Sequence, residues 1–269
     1  MKQLGEIVFV GLGLNDEMDI SLHGMEEIKK ADYVFMELYT SLLPGFSLDN
    51  LERMSGKEVA ILSRKNVEEE NAGKIMAAAG KGNVLFLVPG DPMIATTHIS
   101  VRLEAEKQGI GTRIVHAASV LSAVIGLSGL HNYKFGKSAT IPFPEDTPAE
   151  TPYRTIAQNR RLGAHTLCLL DIKVEERRYL TIPQALEALM DTETRMKQVI
   201  IKTDTLAVGV ARAGSKTPVV KADAIKRLLT YDFGGPPYTL VFPGKLHFME
   251  AESLIRFAGA PEKLREETE

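Results

Sequence analysis

Val88-Pro89-Gly90-Asp91-Pro92-Met93-Ile94-Ala95-Thr96-Thr97-His98 follows the apolar run Asn83-Val84-Leu85-Phe86-Leu87 and precedes a helical pattern over Ile99–Lys107. The stretch therefore reads as the turn from a buried strand into a helix, the repeating step of an α/β fold. Two prolines flank Gly90-Asp91 and restrict the backbone on either side, so the turn is stiff and specifically shaped. A rigid turn at the carboxyl end of a parallel strand is a place where α/β sheets hold a ligand.

The first half of the chain repeats the same step. Strands are expected at residues 6–11, 33–38, 58–62, 84–88 and 112–116, with helices at 21–30 and 68–79. In the first helix Leu22, Met25 and Ile28 share one face, and Asp19 or Ser21 suits its N-cap. Short apolar strands separated by helices imply a parallel sheet with right-handed crossovers. After His116 the pattern changes. Strands are expected at 138–142, 165–171, 199–203, 206–211 and 239–242, and helices at 119–127, 152–161, 182–190, 222–230 and 248–258. Strand-like runs close together with no helix between them favour hairpins and a mixed sheet. Two α/β domains are expected, residues 1–117 with a mostly parallel sheet and 118–269 with a mixed one, divided near Ala117-Ala118-Ser119.

Hydrophobic content of 44% and charged content of 25% are those of an ordinary globular protein. A net charge of −3 argues against a general nucleic-acid binder. The single cysteine, Cys168, has no intrachain partner and lies in the apolar run Thr166-Leu167-Cys168-Leu169-Leu170, where a packed thiol is expected. No run approaches the roughly 20 apolar residues that span a bilayer, and the amino terminus lacks a signal-peptide pattern. A cytoplasmic protein without a membrane segment is the expectation.

Gly11-Leu12-Gly13-Leu14-Asn15-Asp16 begins like a dinucleotide fingerprint, with Glu37 placed as the acid that would hold a ribose. The third glycine is missing, and Asp16 in its place would repel a pyrophosphate. NAD is therefore a weak alternative to a tight turn that needs only glycine conformations. Phe135-Gly136-Lys137-Ser138 lacks the upstream glycine of a phosphate loop and reads as a turn entering a strand. The six histidines show no paired-ligand spacing, so no metal site is expected, and no GxSxG nucleophile motif occurs. Three small-residue turns remain, at Gly11-Leu12-Gly13, Pro89-Gly90-Asp91-Pro92 and Ala117-Ala118-Ser119-Val120, each after a strand.

Gly11-Leu12-Gly13-Leu14, Asp16, Asp19 and Gly90-Asp91-Pro92 resemble the tetrapyrrole-methylase-like class of S-adenosylmethionine-dependent methyltransferases. Within that class several motifs resemble the diphthine synthase family: Tyr39-Thr40-Ser41, Ala95-Thr96-Thr97-His98, Tyr133-Lys134-Phe135-Gly136-Lys137-Ser138-Ala139-Thr140, His165-Thr166-Leu167, Leu170-Asp171-Ile172-Lys173, Ala211-Arg212-Ala213-Gly214-Ser215 and Pro243-Gly244-Lys245-Leu246-His247. They run the length of the chain in the family's order. The resemblance implies two α/β domains with S-adenosyl-L-methionine in a cleft between them, in a homodimer. It implies methylation of the amino group of a 3-amino-3-carboxypropyl unit on one histidine of translation elongation factor two, giving diphthine on the way to diphthamide. Carried over residue by residue, it places cofactor contacts at Leu14, Asp91, Ile94, Ser119, Val120, Leu170, Ala213 and Tyr238. Tyr238 departs from the family, which often has histidine there. Asp91 has a second reading as an Asx-turn aspartate, Ser119 one as a helix N-cap, and Leu170 and Ala213 ones as ordinary core.

Glu37, Tyr39 and Asp171 are expected to line the acceptor side, since each stands at or just beyond a strand end and acidic or aromatic groups suit a cationic product. Glu37 reads equally as a strand-end acid paired with a nearby base, and Tyr39 as a packed ring. Lys173, Arg177, Arg178, Arg64 and Lys65 could steer an acidic protein partner, or form a solvated charged face. Two other functions stand beside this one: a tetrapyrrole methylase with a small-molecule acceptor, and a cofactor-binding module without catalysis.

Overall fold

A computed structural model of the chain describes residues 5–267. They form two compact units, one running to Val120 and the other from Leu121.

The first unit comprises β1 (Glu6–Gly11), α1 (Leu22–Lys30), β2 (Tyr33–Glu37), α2 (Leu48–Ser55), β3 (Ala60–Leu62), α3 (Gly73–Ala79), β4 (Val84–Val88), α4 (Ile99–Lys107) and β5 (Gly111–Val115). Its strands pair in the order β3-β2-β4-β1-β5, all parallel. Every residue of β4 is buried, as an unbroken Val-Leu-Phe-Leu-Val run at the centre of a parallel sheet requires. Alternate residues of β1 serve opposite faces. Val8 and Val10 pack with Ile28 of α1 and Leu51 of α2, whereas Ile7 and Phe9 pack with Ile75 of α3 and Val101 of α4.

Those two faces explain the strand order. Right-handed crossovers through α1 and α2 carry the chain one way across the sheet, and those through α3 and α4 carry it back. The connections leaving β1 and β4, which are neighbours, therefore depart to opposite faces. This is a topological switch point, where open α/β sheets have a crevice beyond their carboxyl ends.

The second unit comprises α5 (Val120–Ser128), whose first residue lies at the division, then β6 (Ala139–Ile141), α6 (Glu150–Arg161), β7 (Thr166–Leu170), β8 (Ile172–Lys173), β9 (Arg178–Tyr179), α7 (Ile182–Met196), β10 (Leu206–Ala211), β11 (Val219–Ala224), α8 (Ile225–Leu228), β12 (Tyr238–Phe242) and α9 (Phe248–Ala258). The main sheet runs β11-β10-β12-β7-β6, antiparallel except for the β6–β7 pair, and β8 with β9 makes a small ribbon. Its core joins Tyr153 of α6, Leu186 and Leu189 of α7, and Cys168 and Leu240 of the sheet.

Several elements differ from the sequence reading. Residues 199–203 are not a strand: the N–H groups of Val199, Ile200 and Ile201 donate to the Glu193 carboxylate at the end of α7. An anion capturing three successive amides replaces the missing ladder. The helix expected at 222–230 shrinks to α8, because residues 219–224 form β11 in a hairpin with β10. The helix expected at 68–79 is broken by left-handed backbone at Asn71 and Ala72, so that α3 starts at Gly73. Leu22 is exposed, and α1 buries Gly24 and Ile28 instead. Ser21 is its N-cap, accepting from Gly24 N–H at 3.0 Å, while Asp19 acts elsewhere.

Candidate active site

The carboxyl end of the first sheet is built around a missing side chain. A Cβ on Gly11 would stand 2.5 Å from the Gly90 carbonyl oxygen and 2.6 Å from the Ala117 Cβ. Only glycine lets the turns after β4 and β5 meet over the end of β1, although β4 and β5 are not neighbours. The β1 and β4 turns zip together for one more pair: Gly90 N–H donates to the Gly13 carbonyl at 2.7 Å and Gly13 N–H returns to Gly90 at 3.3 Å. Gly13 and Gly90 both have positive φ, 76° and 67°. A Cβ on Gly13 would strike Asp19 at 2.3 Å, whereas no atom lies within 4 Å of one on Gly90. The space over Gly90 is open.

Asp91 stands beside that space and is nearly buried. Its Oδ1 accepts from Met93 N–H at 3.0 Å, closing an Asx turn. Its Oδ2 accepts from His116 Nδ1 at 2.7 Å, with Ala117 N–H at 3.4 Å. Ile94 follows in the same turn and is exposed, and Ala95 takes positive φ. On the β1 side the Asp19 carboxylate accepts from the N–H groups of Leu14 and Asn15 at 3.0 and 2.7 Å, fixing the loop that carries Leu14. Ser119 and Val120 stand at the start of α5 just beyond β5, with Ser119 immediately before the helix. Five of the expected cofactor contacts, Leu14, Asp91, Ile94, Ser119 and Val120, thus gather on turns after β1, β4 and β5.

The turn after β2 is organised from beneath. Glu37 is fully buried at the end of β2. Its carboxylate accepts from the N–H groups of Tyr39 and Thr40 at 2.8 and 3.0 Å and from the Thr40 hydroxyl. Burial drives its carboxyl up to about 7, even though these donors and Arg64 favour the anion. His98 is equally buried. Burial lowers it to about 4, so it is neutral at neutral pH, and Nδ1–H points to the Pro92 carbonyl at 3.3 Å. Its Nε2 then faces the Tyr39 hydroxyl at 3.5 Å and Glu37 at 3.9 Å. The Arg64 guanidinium lies over the Tyr39 ring at 5.2 Å. Glu37 and Tyr39 are therefore both buried at the carboxyl end of β2, the strand end at which the sequence places them. Glu37 holds the Tyr39-Thr40 turn, and His98 ties that turn to the one carrying Asp91.

In the second unit Leu170 ends β7, Ala213 follows β10 and Tyr238 opens β12. The pairing of Ala211 with Tyr238 and of Thr239 with Leu169 puts all three at one end of the strands of the mixed sheet. Arg212 pins that end: its guanidinium donates to the carbonyls of Phe233 and Gly235 at 3.0 and 2.6 Å, and its N–H to Pro237 at 2.9 Å. Tyr238 sends its hydroxyl to Gly234 at 2.5 Å. Asp171, beside Leu170, is partly exposed, and its Oδ1 accepts from Ile172 N–H at 2.9 Å. The basic residues nearby are balanced: Lys173 pairs with Asp146 at 2.6 Å and Arg178 with Glu145, both cations lying over the Phe143 ring. Among the described residues no group of three or more His, Cys, Asp or Glu could hold a metal ion.

Sequence reasoning missed His116 and His98. His98 closes a quoted motif and His116 directly precedes another, but their partners, Tyr39 and Asp91, are reached only through the spatial strand order. The Gly136-Lys137 stretch is a turn entering β6, as read, with a Cβ on Gly136 excluded by Asn159 Oδ1 at 2.3 Å.

The family model of tetrapyrrole (corrin/porphyrin) methylases matches residues 6–227. A diphthine synthase of Methanosarcina acetivorans is 49% identical over 98% of this chain and all of its own length. One of Methanocaldococcus jannaschii is 45% identical over 92% of this chain and 97% of its own. A crystal structure of diphthine synthase superposes with a TM-score of 0.89 at 44% identity, covering 97% of this chain and 99% of that one.

Proposed function

Since this chain belongs to the tetrapyrrole methylase family, and within it to the diphthine synthases, we propose that it methylates the amino group of the 3-amino-3-carboxypropyl-modified histidine of translation elongation factor two. The product is diphthine, in diphthamide biosynthesis. The carrying observation is full-length similarity: relatives named diphthine synthase match 92% to 98% of the chain at 45% to 49% identity. A tetrapyrrole acceptor is disfavoured because the match extends through the second unit at the level of the narrower family.

The methyl donor is S-adenosyl-L-methionine, whose sulfonium supplies both the methyl group and the leaving group. The first unit fits such a ligand: a buried carboxylate stands beside open space at a switch point, and the glycine turns bring main chain close. Asp91 would accept from the ligand's ammonium or a hydroxyl. Leu14, Ile94, Ser119 and Val120 would complete that part of the site, and Leu170, Ala213 and Tyr238 are the proposed contacts of the second unit. Asp171 lines the acceptor side at the end of β7. Glu37 and Tyr39 act there indirectly, by setting the turn after β2. Alignment of the attacking amine is the enzyme's main contribution, worth roughly 7–11 kcal/mol in favourable systems. The amine must arrive neutral, its proton going to water or to a positioned base. The protein works as a homodimer in the cytoplasm; among the described residues no helix is long and apolar enough to cross a membrane.

The test is acceptor choice. Purified protein with radiolabelled S-adenosylmethionine should label modified elongation factor two and leave both the unmodified factor and a tetrapyrrole precursor unlabelled. Labelling of the tetrapyrrole alone would replace the proposal.

A further inference from the structure

Asp91 is nearly buried, yet one of its two principal partners, His116, is 70% exposed. The imidazole follows the end of β5 and reaches Asp91 Oδ2 on the β4 turn at 2.7 Å, although β1 stands between those two strands. With Oδ1 on Met93 N–H, both carboxylate oxygens are fixed and the plane of the group is set. A carboxylate offers about four lone-pair sites, so one short bond to each oxygen, with the long Ala117 contact on Oδ2, leaves acceptor capacity for a ligand. Ala117 N–H at 3.4 Å is too long and weak to orient Oδ2 alone. The imidazole's exposure means that packing does not explain its place.

We infer that His116 is the positioning residue of the cofactor site: its Nδ1–H holds Asp91 in the one orientation that receives S-adenosylmethionine. This rests on the cofactor reading of Asp91 given above. His116 touches the carboxylate and acts through it, so its loss weakens cofactor binding without unfolding the unit.

The decisive experiment is calorimetric titration of the full-length protein with S-adenosylhomocysteine, which binds without turnover. His116→Leu keeps bulk but removes the donor, and Kd should rise about tenfold, the scale of one charge-assisted hydrogen bond. His116→Asn places an amide N–H where Nδ1 stood and should restore Kd to within about twofold of wild type. His116→Leu added to Asp91→Asn should weaken binding no further than Asp91→Asn alone. The unliganded thermal midpoint of His116→Leu should match wild type. Weak binding by Asp91→Asn with wild-type binding by His116→Leu would overturn the inference and leave the cofactor reading standing. Equal weakening by Leu and Asn at position 116 would also overturn it. Wild-type binding by Asp91→Asn would remove the cofactor reading of Asp91 and the inference with it.

Discussion

Replacing Glu37 with glutamine should change how stability depends on pH. The carboxyl is fully buried, and burial holds it at about 7 against an ordinary 4.5. That difference corresponds to about 3 kcal/mol between the two protonation states. The folded state keeps its proton where the unfolded chain has already released one. Stability from this group is therefore complete below pH 4.5 and declines as pH rises to about 7, beyond which it is flat. Glutamine fills the same volume and accepts from the Tyr39 and Thr40 amides, but it does not titrate. Urea unfolding of wild type and Glu37→Gln at half-unit steps from pH 4.5 to 8 should show their difference shifting by about 3 kcal/mol in favour of the variant as pH rises. A difference independent of pH would contradict this, since it would mean that Glu37 binds its proton equally in the folded and unfolded chain.

Three further perturbations probe other parts of the structure. Gly11→Ala should destabilise the first unit by about 1–3 kcal/mol and weaken S-adenosylhomocysteine binding, because its methyl group would wedge apart the β4 and β5 turns; denaturation and calorimetry read the two effects. Glu250, buried in α9, is pushed up by burial but held at about 2 by the N–H groups of His247 and His131 and by Lys134 and His165. Its stabilisation is present above about pH 4.5 and fades as pH falls through about 2, and Glu250→Ala should lose about 3–5 kcal/mol at pH 7 in chemical denaturation. The Cys168 thiol, buried in β7 and pushed up to about 12, should resist maleimide in the folded protein and react on addition of denaturant, as mass spectrometry would show.

The alternation of apolar runs and helical periods in the first half was legible because β4 and β1 are buried on both faces, and such strands announce themselves as continuous apolar segments. The mixed sheet of the second half was legible as a class but not in its pairing. Residues 199–203 look like a strand by β-branched content, yet Glu193 captures their amides; no local pattern reveals a carboxylate arriving from the preceding helix. β11 was hidden because its alternation, Val220-Lys221-Ala222-Asp223-Ala224, is carried by alanines and charges that also suit a helix, and Lys221 and Asp223 pair on one face at 3.6 Å. At the site, Gly11, Gly13, Gly90 and Asp91 were readable as shaped turns. The junction of His116 with Asp91 was not, because it depends on β5 standing beside β1. Likewise Glu37 was readable as a strand-end acid, but its burial beneath the Tyr39-Thr40 turn follows from β2 lying between β3 and β4 and from the packing of His98.

Peptide mass spectrometry tests methyl transfer to one modified histidine directly. Elongation factor two carrying the 3-amino-3-carboxypropyl group should be incubated with this protein and methyl-deuterated S-adenosylmethionine, then digested. Deuterated methyl groups should appear on the peptide bearing that histidine and on no other, with none when the histidine is unmodified. An unlabelled histidine peptide, from protein shown to bind the cofactor, would contradict it.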